Sequence, residues 1–154
     1  MGTILVFYGD AAYDHEGYAA QVLDDGTLTG TYSAETEPRM VGQVVAACDC
    51  GWTGTTRYPT RELFDEHAED LALAEWEHTH ARPVLDQAQR GELSELEARL
   101  RGLSGSVSLV ALNRDPVRLA DELASVVRRL EAAAGLARRL HNQVQDQHGG
   151  GRRS

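Results

Sequence analysis

The chain predicts an α+β fold: a small antiparallel sheet with one long helix, followed by a helical hairpin or coiled-coil tail. Three observations carry this expectation. Residues 3–58 break into short β-prone runs separated by turn signals. From Thr60 onward apolar residues recur at helical spacing. The last third holds a heptad stripe. A length of 154 residues suffices for one modest core or one small domain with a helical appendage. The divisions expected are a β-rich domain with a Cys-x-Cys turn and long helix over 1–82, a helical region over 83–148, and a disordered tail over 149–154.

The first β-prone run covers residues 3–8. Runs 18–23 and 27–32 flank Asp24-Asp25-Gly26, and an Asp-Gly step between strand-like runs is a strong hairpin cue. Tyr18, Val22, Leu28 and Tyr32 are the residues expected to pair across it. Residues 33–39, with Pro38, form a loop to the strand 40–48 that delivers both cysteines. After Pro59, Thr60 can cap a helix whose apolar positions are Leu63, Phe64, His67, Leu71, Ala74 and His78. Pro83 disfavours helical geometry at Arg82, so this helix is expected to end near His80, roughly 30 Å from its start.

Pro83 can open a further short helix to Gly91, with Leu93, Leu96, Leu100 and Leu103 on one face beyond it. Ser104-Gly105-Ser106 reads as a break, and residues 107–112 as a strand or a buried connector. Asp115-Pro116 is a good start signal for the last helix. There Leu119, Leu123, Val126, Leu130, Ala133, Ala137, Leu140 and Val144 recur at alternating steps of four and three. Such a stripe either faces the chain's own helices or forms a homodimer seam in which Ala133 and Ala137 admit close backbones. Two hairpins joined as a four-helix bundle satisfy both readings.

The formal charge of −9 is uneven: residues 1–80 carry 15 acids against 3 arginines, residues 116–154 carry 7 arginines against 4 acids, and there is no lysine. The acidic front half is a poor partner for phosphate backbones. The expected partner is a second copy or another protein. The alternative is a nucleic-acid-associated regulator using Arg128, Arg129, Arg138, Arg139, Arg152 and Arg153, which would show affinity falling steeply with salt. No window approaches the ~20 apolar residues of a membrane span, and residues 1–8 lack the basic flank and cleavage site of a signal peptide. The expected location is the cytoplasm.

The one constellation suited to a metal is Cys48-Asp49-Cys50-Gly51-Trp52, answered by His78-Thr79-His80. Zinc takes thiolate and imidazole ligands in a tetrahedron, and a structural site closes with four. Gly51 and Gly54 supply turning freedom beside the only two cysteines in the chain. An extended stretch leaving the cysteines and a helix of similar length returning to them would bring His78 and His80 level with Cys48 and Cys50. Residues two apart in a helix point to nearly opposite sides, so both histidines reach one ion only if the helix ends there. His67 is the competitor. The bland alternative is that the cysteines are half-buried and the histidines solvated. Trp52 and Trp76 read as core anchors over the cysteine turn.

The run Cys48 to Gly54, with the acidic helix carrying Trp76 and His80, resembles a group of small, largely uncharacterised actinobacterial proteins with Cys-x-Cys-Gly-Trp-x-Gly and a downstream Trp and His. In ligand order it is also distantly similar to SWIM-type zinc fingers, Cys-x-Cys then Cys-x-His, with His78 standing where that finger has cysteine. The resemblance covers residues 45–82 and brings no activity with it. Signatures of catalysis are absent from the sequence: no phosphate-binding glycine loop, no Gly-x-Ser-x-Gly elbow, no His-Glu-x-x-His pair. Asp14-His15-Glu16, in a loop, could do acid or base work or simply be solvated. The expected function is a non-catalytic protein-interaction module with a structural zinc site, dimerising through its C-terminal helix.

Overall fold

The computed structural model describes residues 2–63, 65–112 and 114–150. It is an α+β protein with four strands, β1 (Gly17–Leu23), β2 (Leu28–Thr29), β3 (Met40–Cys48) and β4 (Tyr58–Pro59), in the antiparallel order β2-β1-β3-β4. The hairpin at Asp24-Asp25-Gly26 forms as its turn chemistry predicts. Leu23 N–H donates to the Thr27 carbonyl, and Val22 stands opposite Leu28. Tyr18 and Tyr32 lie outside the β1–β2 ladder: β2 is two residues long, Tyr18 stands opposite Ala47 in β3, and the Tyr32 hydroxyl accepts from the Gln21 side-chain amide at 2.9 Å.

The run 3–8 is not a strand. Only Thr3 bridges to Gly17, and Val6–Asp14 coils into 3-10 turns on either side of Gly9. This folding turns Leu5, Tyr8 and Ala12 into the core, a better use of three apolar side chains than an edge strand with one solvated face.

Helices α1 (Thr60–Leu63) and α2 (Asp65–Trp76) follow β4, and α2 packs across β3 and β1. Its buried stripe is Ala68, Ala72 and Trp76, each at most 0% exposed, while His67, Ala74 and His78 face solvent. Over residues 67–78 the expected apolar face was therefore one position out of phase; Phe64 and the side chain of Leu63 lie outside the described set. Two alanines are weak markers of a face, yet they let a helix approach a sheet closely, and the large Trp76 sets the rotation.

Pro83 does not end the helix. Glu77–Ala81 forms a single π-turn in which Arg82 N–H reaches back five residues to the Glu77 carbonyl, and α3 (Arg82–Val110) continues without a break. The wide turn accommodates a proline that has no N–H and whose ring would crowd the Thr79 carbonyl. The buried stripe registers the extra residue. Steps of four from Ala68 to Trp76 are followed by five to Ala81 and four to Leu85. The break expected at Ser104-Gly105-Ser106 is helical as well, because Leu103 and Val110 on either side are buried against the next helix.

The chain divides into two compact units, residues 1–86 and 87–154. The boundary lies past Pro83 because Leu85 belongs to the first core and Asp86 accepts a hydrogen bond from the Tyr8 hydroxyl at 2.6 Å. Burial, then this bond and the Asp86 charge, push the Tyr8 pKa from 10 up to about 12. A folded-state pKa above the unfolded value means the stabilisation is complete below pH 10 and is lost as pH rises toward 12. Tyr8→Phe is therefore expected to flatten the alkaline limb of a stability-versus-pH curve measured by urea unfolding. An unchanged limb would place the alkaline sensitivity elsewhere.

In the second unit, α4 (Pro116–Gly150) starts where Asp115 caps it, Asp115 Oδ1 accepting from Val117 N–H at 3.0 Å. It extends through Gly149 and Gly150; residues 151–154 lie outside the described set. Val126 and Ala133 of α4 pack against Leu103 and Val110 of α3, with Leu96 and Leu119 at the margin. The heptad stripe thus divides into two lines. Val126, Ala133 and Leu140 are 2–7% exposed, whereas Leu123, Leu130 and Val144 are 41–49% exposed. Among the described residues no helix is long and apolar enough to cross a membrane.

Candidate metal centre

β3 ends at the cysteines, and the chain reverses there in a three-residue loop. Cys48 N–H donates to the Trp52 carbonyl and Gly51 N–H to the Cys48 carbonyl, both at 2.9 Å. Gly51 has φ +92°, a left-handed conformation that disfavours any β-carbon. This turn sets both thiols toward the same side of the strand end. The chain then runs back along β3, Thr53 opposite Ala47 and Tyr58 opposite Val44, so the helix begins at the far end of the strand. Some 20 residues of helix at ~1.5 Å each return it to the cysteine turn. His80, four residues after Trp76, arrives there 9% exposed.

The fourth donor comes from the opposite direction in sequence. Because β1 and β3 are antiparallel neighbours, the start of β1 lies beside the end of β3: Gly17 is opposite Cys48, and Asp49 N–H donates to the Glu16 carbonyl at 3.0 Å. His15, held by its N–H to the Ala12 carbonyl, stands just before this point. Ligand atoms of His15, Cys48, Cys50 and His80 all lie within 4.8 Å of one another. Cys50 Sγ is 3.1 Å from His80 Nε2, and Cys48 Sγ is 3.9 Å from His15 Nδ1. Tetrahedral zinc with two sulfur and two nitrogen ligands spaces its donors by about 3.3–3.8 Å. Closure on an ion asks for shifts of about 1 Å or less. These four residues could hold a metal.

Three of the four sequence-derived candidates, Cys48, Cys50 and His80, are brought together; His78 is not. Two residues before His80 on the helix, it is exposed and its Nδ1 lies 2.9 Å from the Ala74 carbonyl. His67 is also exposed, more than two turns back along α2. His15 was visible only as part of a polar cluster. The signal that would have found it is the pairing of the run 18–23 with the cysteine strand, which places residue 15 next to residue 48.

Burial holds Cys48 and His80 in their neutral forms. Burial pushes the Cys48 thiol up, so without a compensating charge it stays protonated and is a poor nucleophile. Burial and neighbouring His15 push His80 down, keeping its imidazole neutral, the form that binds metals. The His80 ring is sandwiched: stacked on Trp52 at a centroid distance of 4.7 Å and 6° between planes, and edge-on to His15 at 5.3 Å. The indole N–H of Trp76 is buried with no hydrogen-bond partner among the described residues. A thiolate at Cys48 would offer it a stronger acceptor than the neutral thiol does.

The fold and the cluster together define a small α+β unit with a two-cysteine, two-histidine centre drawn from three segments. Compared with models of protein families, with curated proteins and with solved structures, the chain matches none.

Proposed function

We propose that the chain is a non-catalytic protein-interaction module whose first unit is stapled by a structural zinc ion and whose C-terminal helix supports dimerisation. The observation that carries the reading is the convergence of four side-chain donors from residues 15, 48, 50 and 80 within 4.8 Å. Two thiolates with two imidazoles suit zinc above oxygen-seeking cations. Four protein donors complete the tetrahedron and leave no coordination position for a substrate, which supports a structural role over catalysis. An ion there would tie the N-terminal turns, the end of β3 and the π-turn after α2 at a single point, joining segments at least 30 residues apart in sequence.

Elemental analysis of protein purified without added metal tests this. About one zinc per chain is expected in the wild type and none in a Cys48→Ser/Cys50→Ser variant. Metal held a thousandfold above its dissociation constant contributes about 4 kcal/mol, so the variant's melting temperature should fall by about 10 °C for a chain of this size. Metal absent from both proteins would reduce the cluster to ordinary packing.

A further inference from the structure

We propose that the second unit forms an antiparallel four-helix bundle with a second copy of the chain, through a face built by α3 as much as by α4. This rests on the interaction-module reading above and names its partner. On α3, Leu96, Leu103 and Val110 turn inward against α4, while Leu93, Leu100 and Val107, also seven apart, are 50–52% exposed. On α4, Val126 and Ala133 turn inward while Leu123 and Leu130 stay 47–49% exposed. Each helix therefore carries a complete heptad seam, and the hairpin uses one line of each.

The two unused lines run side by side. Arg129 bonds the Ser106 hydroxyl and lies beside Gly102. In that antiparallel arrangement a step of seven forward on α3 matches a step of seven back on α4. Leu93, Leu100 and Val107 then lie within about one turn of the levels of Ala137, Leu130 and Leu123. Each helix repeats an apolar residue about every 10 Å, at 1.5 Å per residue.

A second copy is the occupant that such a face fits. Its apolar residues repeat at the same spacing on both helices, so a two-fold related hairpin presents a matching pattern, the self-complementarity an isologous dimer needs. Leu93, Leu100, Val107, Leu123, Leu130 and neighbouring Val127, the last 51% exposed, offer roughly 550 Å² of apolar surface per copy. Alanines at 120 and 134 extend it toward the ~800 Å² per partner of a standard interface. No charge interrupts the two lines; Glu131 borders them on α4, and on the α3 margin Glu95 and Glu97 are already paired with Arg99 and Arg101.

The test is the mass in solution of the full chain at micromolar concentration, by light scattering and sedimentation. The wild type is expected to be a dimer. Leu100→Glu and Leu130→Glu should each give monomer with helical content by circular dichroism and zinc content unchanged, while Ala132→Glu, off the face, should leave the dimer intact. Should a glutamate variant lose its helicity, Leu100→Ala/Leu130→Ala decides the matter, with dimer affinity expected to fall at least tenfold. A monomeric wild type, or dimers that persist in the face variants, would overturn the bundle. Zinc measured on the same samples reports separately: a zinc-loaded monomer overturns the bundle and leaves the stapled module standing, and a metal-free dimer does the reverse.

Discussion

Zinc affinity is expected to fall at least about a hundredfold in His15→Ala and in His80→Ala, and to stay unchanged in His78→Ala. The magnitude exceeds the 10–100-fold typical of losing an outer-sphere partner because a direct ligand is removed. The ordering follows from geometry. His80 Nε2 is 3.1 Å from Cys50 Sγ, whereas His78 is turned to solvent with its ring against the Ala74 carbonyl. Competition with a chromogenic chelator measures each variant directly. An equal loss in all three would mean that the helix rotates on binding and that the phase set by Trp76 is not kept. A loss in His78→Ala and His80→Ala but not in His15→Ala would return the ligand set to one built from the adjacent His-x-His.

Trp76→Ala is expected to cost about 4 kcal/mol, in the range for deleting a large aromatic from a core, against a total stability of about 5–15 kcal/mol for a domain. Trp76 is 0% exposed and fills the space between α2 and the sheet. The sheet makes room for it with a glycine: a β-carbon at Gly17 would sit 2.1 Å from Cδ2 of the indole. Gly17→Ala should therefore destabilise by about 1–3 kcal/mol through overpacking, and combining the two substitutions should cost less than their sum, since alanine at residue 76 vacates the space that alanine at residue 17 needs. Urea unfolding of the four proteins completes the cycle, and strict additivity would show that the two residues do not share that space. Trp76→Phe separates the indole's volume from its N–H. It should retain most of the stability, and weaker metal binding in this variant would show that the otherwise unpartnered indole N–H serves a thiolate at Cys48.

Much of the fold was legible locally. The hairpin at Asp24-Asp25-Gly26, the extent of β3, the helix start at Thr60 and the capped start at Asp115-Pro116 each follow from chemistry within a few residues. Elements whose limits depend on burial were not. Pro83 and Ser104-Gly105-Ser106 are local arguments for interruption, and both were overridden where neighbouring Ala81, Leu85, Leu103 and Val110 gain cover from other segments. The phase of α2 was obscured because its buried face begins with alanines, while more apolar-looking positions such as Leu71 are only partly covered.

The amino-acid sequence by itself determined the fold class, and it determined which residue types could bind a metal by placing two thiols on either side of one residue in a glycine turn. The tertiary structure alone decided which imidazoles meet those thiols. His80 was selected over His78 because Trp76 fixes the rotation of the helix, and His15 was recruited because the antiparallel pairing of β1 with β3 puts the beginning of one strand beside the end of the other. Both choices are set by burial between segments thirty or more residues apart, a distance over which side-chain periodicity and turn signals carry no information.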